Sequence, residues 1–314
     1  MLGGGTGLAQ ILRGIKHHTT HVTAIVSVAD DGGSSGLLRK DLGILPLGDF
    51  RKCIIALAND ESPLLNLLQY RFAGTGELQG HSFGNLFLAA LSELTGGVDL
   101  ALAEAQQVLS LKGRILPSTL ASVTLNAEIT ERHSNKMVIL SGQWLISKQN
   151  LGVIDRVYLE PNDAPGYPDA ISAILEADLI IAGPGSLYTS ILPNLLLQDI
   201  VQALRVTPAL KLYVCNVATQ SGETDGYSVQ DHFCKLEEHV GTGIFTHVLA
   251  NNNLHTPLPT TPLINYVHLS SDQCPFKLIE ADVVDEEYPW RHDSAKLAQA
   301  VMNLFSERTG PLSQ

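Results

Sequence analysis

Charge is scarce in this chain. Only 17% of its 314 residues are Asp, Glu, Lys or Arg, against roughly 25% in an ordinary soluble domain. Basic residues are scarcer still, 20 against 32 acidic ones, for a formal charge of −12. A nucleic-acid binder held by counterion release needs a basic stripe, and none offsets that balance, so nucleic acid is excluded as a partner. Long apolar runs are also missing. The longest are strand-sized, residues 178–182 being typical, so no membrane-spanning helix is expected. The opening Met1-Leu2-Gly3-Gly4-Gly5 lacks a basic segment followed by an apolar one, so no secretory signal is expected. Cysteine is sparse: Cys53, Cys215, Cys234 and Cys274 stand too far apart for metal-ligand or redox spacing. That excludes zinc and points to a reduced cytoplasm. The apolar share, 45%, is ample for a core and excludes disorder.

What is present is an alternation of strand-like and helix-period segments. Residues 22–28 read as a buried strand, β-branched and almost uncharged. Similar runs lie at 155–159, 178–182, 210–216 and 246–251. Between them the spacing predicts helices at 8–16, 168–176, 190–204, 229–239 and 293–305. Strands separated by helices of that length mean βαβ units, a mostly parallel sheet covered on both faces, and a doubly wound α/β architecture. Two stretches break the rhythm. Residues 50–110 are mainly helical and are expected to form a cap. Residues 115–150 alternate apolar and polar positions and are expected to form a small antiparallel β insertion.

In open α/β sheets ligands collect at the carboxyl ends of strands, where loops enter helix N-termini that suit phosphate. Four loops there carry unusual chemistry. The first is Gly3-Gly4-Gly5-Thr6-Gly7, whose glycines let backbone approach an anion closely. A tight turn accounts for it equally well. It is neither a dinucleotide fingerprint, because Leu8 stands where glycine is needed, nor a Walker A loop, which weakens a third reading, an NAD-type oxidoreductase. The second is Asp30-Asp31-Gly32-Gly33-Ser34-Ser35-Gly36. Adjacent aspartates suit Mg²⁺ beside a polyphosphate, or one of them a ribose hydroxyl. The third is Pro46-Leu47-Gly48-Asp49-Phe50-Arg51. Asp49 is placed as an N-cap, and Arg51, unfavourable in a first helical turn, has either a phosphate partner or solvent. The fourth is Gly183-Pro184-Gly185-Ser186-Leu187-Tyr188-Thr189-Ser190, an anion nest with hydroxyl donors. Its counterpart after strand 210–216 offers Asn216, Thr219, Gln220, Glu223 and Asp225, able to read a base, a sugar or a metal, or to order their own loop.

Other features are discounted. His17, His18 and His21 sit at a helix end, where solvated histidines suit the dipole, and His81 reads as structural. No serine or cysteine has the signature of a covalent nucleophile.

These four loops, with Gly80-His81-Ser82-Phe83-Gly84-Asn85, residues 219–227 and Trp290-Arg291-His292-Asp293, resemble the bacterial gluconeogenesis-factor (YvcK-like) family, relatives of the CofD 2-phospho-L-lactate transferases. The resemblance implies one CofD-like, Rossmann-like domain over residues 1–314, with a nucleotide site at the strand ends. The gluconeogenesis-factor branch implies a regulatory protein that binds a UDP-GlcNAc-like nucleotide sugar and supports growth on non-glycolytic carbon and cell-wall morphogenesis. The transferase branch implies instead a Mg²⁺-dependent phospho-group transfer from a nucleotide-activated donor. On that alternative Asp31 and Asp49 resemble the metal and acceptor-side acids, with Asp30 beside Asp31 at the metal. The ligand set expected on either reading is Gly4, Gly5, Thr6, Gly7, Asp30 and Arg51 from the early loops. Gly185, Ser186, Tyr188, Thr189, Asn216, Thr219 and Gln220 follow from the later ones, and Arg291 by resemblance. Mg²⁺ is the one cofactor admitted; NAD, flavin, haem and zinc are not expected, and a homo-oligomer is left open. The chain departs from the family at Leu47, usually proline, and Lys52, usually asparagine. Only Met1 and Leu2 precede the glycines where the family has a full strand, which puts the support of the first loop in question.

Overall fold

The computed structural model describes residues 1–59, 63–260, 264–269 and 275–309, so Cys274 lies outside the described residues. In chain order the strands are β1 (Leu2–Gly3), β2 (Thr23–Val26), β3 (Arg114–Pro117), β4 (Thr124–Glu131), β5 (Met137–Ser141), β6 (Gly152–Glu160), β7 (Leu179–Ala182), β8 (Leu210–Val214), β9 (His247–Asn251) and β10 (Lys277–Ala281). Seven form one parallel sheet in the order β10-β9-β8-β7-β1-β2-β3, and β5-β4-β6 form a separate antiparallel sheet. This is the expected doubly wound α/β architecture. Its inner strands are apolar runs without alternation, β9 being buried at every position, because helices cover both faces of a parallel sheet.

The strand order reverses between β1 and β7. That seam is the switch point at which open α/β sheets leave a crevice. β1 is only two residues long, yet both of its edges are held: Ser27 N donates to Gly3 O at 3.0 Å and Gly183 N to Leu2 O at 3.0 Å. The side-chain amide of the buried Asn194 adds a bond to Gly3 O at 3.1 Å. The first glycine loop is therefore supported from both sides. The helix that follows, Gly5–Ile15, lies between Gly48–Leu57 and Ser294–Thr309.

Several expectations need correction. Residues 155–159 were expected in the parallel sheet, but they belong to β6, which pairs antiparallel with β4. Ile154, Val157 and Leu159 are buried while Asp155 and Arg156 are exposed, an alternation that a strand covered on both faces could not accommodate without burying both charges. The insertion accordingly runs from β4 to β6, with the helix Gln143–Lys148 inside it, and β3 joins the main sheet. The expected helix 190–204 is broken into a π-helical turn at Leu187–Ile191, Leu192–Leu195 and Gln198–Val206. Pro193 stands in the first turn of the second piece, since proline cannot donate within a helix. The helices of the 50–110 region are Gly48–Leu57, Pro63–Gln69, Phe83–Thr95 and Val98–Val108. The first of them also packs on β2 and β3 and so belongs to the layer beside the sheet. Among the described residues no single helix is long and apolar enough to cross a membrane.

Candidate functional site

A cleft of about 530 Å³ opens at the carboxyl ends of β1, β7 and β8, on the switch point. One wall is the start of helix Gly5–Ile15, where Thr6, Gly7 and Gln10 line the space. This helix has no side-chain N-cap and no acid in its first turn. Its first amide, Gly5 N, donates to the Asp49 carboxylate, while those of Thr6 and Gly7, which line the cleft, have no acceptor within the helix. Gly7 is required there. A Cβ at this position would sit 2.3 Å from Pro184 O and 2.7 Å from Gly185 Cα, so the two glycine loops touch backbone to backbone.

The floor comes from the loop after β7. Its π-helical turn sends Leu187, Tyr188 and Ile191 into the core and leaves Ser186, Thr189 and Ser190 lining the cleft. Tyr188, expected to touch ligand, is instead fully buried, with its hydroxyl 2.8 Å from that of Tyr227. Its ring anchors the loop from beneath. Gly185 N donates to Asn216 Oδ1 at 3.3 Å, and Asn216 Nδ2 donates to Gln220 Oε1 at 3.2 Å, which joins this loop to the one after β8. Thr219 N donates to Asn265 O at 2.8 Å, and its hydroxyl accepts from Asn265 N at 3.2 Å.

Beneath Ser186 and Thr189 lies Glu223, only 6% exposed. The Ser186 hydroxyl donates to its carboxylate, and Thr189 Oγ1 is 3.3 Å from its Oε1. Burial pushes this carboxyl up to about 7, while the two hydroxyl bonds oppose the shift. A carboxyl poised near neutrality in a cleft is a mark of function.

Two cationic side chains stand at the rim. Lys148 ends the insertion helix, and Arg291 comes from the C-terminal segment. The Arg291 guanidinium lies 5.4 Å from the ring centre of Tyr288 and 5.9 Å from that of Trp290, which holds an exposed cation in place. His292 clips this segment down. It is buried, and burial lowers it to about 4, so the neutral ring donates from Nε2 to Cys215 O at 3.1 Å. Gln10 Nε2 donates to His292 O at 2.9 Å. Gln10, Lys148, Trp290 and His292 are cleft residues that were absent from the expected set. Gln10 and Lys148 are ordinary helix-surface residues by local pattern and reach the cleft only through tertiary packing. Trp290 and His292 did stand inside a recognised motif, which was the available signal.

The other expected residues gather in a neighbouring cluster outside the cleft lining. Asp49 is not the N-cap, a position taken by Leu47, but sits inside the first turn and is buried. Its Oδ2 accepts from Gly5 N at 2.6 Å and its Oδ1 from Lys52 Nζ at 2.8 Å. Gly4 and Gly5 thus serve to admit this carboxylate. A Cβ on Gly4 would approach Asp49 Oδ2 to 2.9 Å. Arg51 is buried and not solvated, and its Nε donates to Asn85 Oδ1 at 2.9 Å. Asn85 donates in turn to the Ser34 hydroxyl at 3.2 Å, which contacts His81 Nδ1 at 3.1 Å. Burial, reinforced by the nearby Asp49 carboxylate, raises Asp30 above the usual range.

Asp30 and Asp31 have separate hydrogen-bond partners. Asp30 Oδ1 accepts from Gly32 N at 3.0 Å, whereas Asp31 Oδ1 accepts from Trp144 N at 2.7 Å, capping the insertion helix. Among the described residues no group of three or more His, Cys, Asp or Glu is arranged to hold a metal ion. The carboxylates that do neighbour one another, Asp30 and Asp49, have the Lys52 ammonium beside them.

A family model described as 2-phospho-L-lactate transferase CofD matches residues 1–309. The chain belongs to the CofD family. The gluconeogenesis factor of Bacillus subtilis is 41% identical to it over 98% of both chains. That of Listeria monocytogenes is 40% identical over 98% of this chain and 96% of the relative. A crystal structure of a UPF0052-family protein from Bacillus halodurans superposes with a TM-score of 0.87 at 39% identity, over 96% of this chain and 98% of that one. The seven-stranded sheet and its cleft are thus set in a family fold shared with gluconeogenesis factors.

Proposed function

We infer that this CofD-family chain is a gluconeogenesis factor that works as a cytoplasmic regulatory protein. It binds a UDP-GlcNAc-like nucleotide sugar in the switch-point cleft and supports growth on non-glycolytic carbon and cell-wall morphogenesis. One observation carries the ligand class: helix-start amides, the hydroxyls of Ser186, Thr189 and Ser190, and the Lys148 and Arg291 cations converge on a single cleft. Such a set suits a diphosphate. The Trp290 indole beside Arg291 offers a surface for a base or sugar. Lys148 and Arg291 supply positive charge to offset the diphosphate.

The test is thermal unfolding with UDP-GlcNAc. Ligand at 100 times its Kd is expected to add about 2.7 kcal/mol of stability. No shift with any uridine or guanosine nucleotide overturns the reading. The family's transferase chemistry is the competing activity, and it predicts release of UMP or GMP on incubation with Mg²⁺, an activated donor and an acceptor alcohol.

A further inference from the structure

Glu223 plays no part in holding the fold's strands together, yet it is buried under the cleft floor with a full set of hydroxyl partners. The atoms around it can be counted. Ser186 Oγ accepts from Thr189 N at 3.1 Å and from Thr189 Oγ1 at 2.6 Å, and its one proton goes to Glu223. A hydroxyl has one donor and two acceptor sites, so with Glu223 ionised Ser186 is saturated. Thr189 has likewise committed its proton inward. Of the hydroxyls that this loop presents to the cleft, those of Ser186 and Thr189 have no hydrogen left for an anion.

Protonating Glu223 reverses this. The carboxylic acid becomes a donor to Ser186 Oγ in place of Thr189 Oγ1, whose proton moves to the other carboxyl oxygen, Oε1, 3.3 Å away, and the Ser186 proton turns outward into the cleft. One proton enters at the carboxyl and one hydroxyl donor is released to the ligand. Without it, a phosphate oxygen over Ser186 would face lone pairs above a buried negative charge, which is repulsive in a poorly solvated site.

We propose that Glu223 sets the hydrogen-bond polarity of the cleft floor, so that a diphosphate diester binds there together with one proton. The proposal rests on the nucleotide-sugar reading for the identity of the ligand, and adds a pH-dependent regulation of the same site. The other charged or titratable groups facing this region are Lys148 from the insertion and Arg291 and His292 from the C-terminal segment. Tyr188 lies under the loop, and Asp225, on Glu223's own loop, is paired with Arg132 at 2.6 Å. Among the described residues none of these hydrogen-bonds to the Glu223 carboxylate, whose side-chain partners are Ser186 and Thr189 alone. Lys148 and Arg291 add attraction at the rim, and His292, lowered to about 4 by burial, is neutral through this range. The raised position of the carboxyl, about 7, places the switch in the physiological range.

The experiment is calorimetric titration of the full chain with UDP-GlcNAc, and with P1,P2-dimethyl diphosphate, between about pH 6 and 9 in two buffers of different ionisation enthalpy. Neither diester phosphate titrates in that range. The wild type is expected to take up close to one proton per ligand and to lose about tenfold in affinity per pH unit once Glu223 is ionised. Glu223→Gln, whose amide donates to Ser186 at every pH, is expected to bind with a pH-independent affinity and no proton uptake. Ser186→Ala, a second variant should the first fail to fold, is expected to bind weakly and without the pH slope. UDP-GlcNAc binding with a flat profile and no proton uptake in the wild type overturns the proposal and leaves the nucleotide-sugar reading standing. Proton-linked binding of the dimethyl diphosphate without binding of UDP-GlcNAc does the reverse. Absence of binding by both probes at every pH rejects both.

Discussion

Gly7 and Pro184 meet backbone to backbone across the seam of the sheet, closely enough that a Cβ on Gly7 would lie 2.3 Å from the proline carbonyl oxygen. The contact seals the two glycine loops into one rim. Gly7→Ala gains about 1 kcal/mol of helix propensity, but the clash is with backbone, which cannot rotate away. The variant is expected to be destabilised by about 1–3 kcal/mol and to bind nucleotide sugar more weakly. Urea unfolding checks the first point. A variant as stable as the wild type would mean that the loops part at no cost.

Arg291 is exposed and braced by two aromatic rings, so its contribution should be to ligand rather than to fold. A charge-assisted bond to phosphate contributes about 1.5–3 kcal/mol. Arg291→Ala is therefore expected to weaken UDP-GlcNAc binding by about 10- to 100-fold, while its own unfolding midpoint in the absence of ligand stays within the small range of surface substitutions. Lys148→Ala should behave similarly. Unaltered affinity in both variants would remove the diphosphate from this rim.

Two buried groups of the cleft give stability opposite dependences on pH. Glu223 is raised from 4.5 to about 7 in the folded chain. Between those values the folded state keeps a proton that the unfolded state has released, so stability falls as pH rises, by roughly 3 kcal/mol in all. His292 is lowered from 6.5 to about 4. There the unfolded state takes up the proton, so stability falls as pH drops through the same interval, by a comparable amount. The two slopes offset each other in the wild type between about pH 4.5 and 6.5. Glu223→Gln should uncover the rising slope and His292→Asn the falling one, each read as the stability difference from wild type in denaturant titrations. Parallel pH profiles for Glu223→Gln and wild type would show that the carboxyl titrates normally.

Asp49 separates binding from transfer chemistry. Its carboxylate links the Gly5 amide to Lys52. Asn at this position can still accept from Gly5 but offers no charge to the ammonium. Asp49→Asn is expected to cost about 1–2 kcal/mol of stability and to change UDP-GlcNAc affinity little, because the residue does not line the cleft. Release of UMP or GMP by the wild type, abolished in this variant, would instead assign Asp49 a place beside a reacting alcohol.

The alternation of apolar runs and helical periods made the parallel sheet legible, because burial on both faces leaves a strand such as 178–182 without polar interruptions after its first residue. The same criterion failed at 155–159. Asp155 and Arg156 were the sign of a strand with one wet face. Thr6 and Gly7 of the first loop and residues 184–186, 189 and 190 of the fourth do line the cleft, and their chemistry is local, resting on glycine and hydroxyls at a strand end. The helix-capping bond of Asp31 was not legible, because its partner, Trp144 N, lies 113 positions away. Gln10 and Lys148 were invisible for the same reason in reverse, since only the packing of distant segments brings them to the rim.

The opposing walls of the cleft come from opposite ends of the chain, Thr6 to Gln10 on one side and Pro184 to His292 on the other, with Lys148 between. No fragment ending before β8 retains the pocket, and none beginning after the first helix does. Ligand should therefore act as a fastener between remote stretches of sequence, and limited proteolysis that nicks an intervening surface loop would leave the two pieces associated for longer when it is bound.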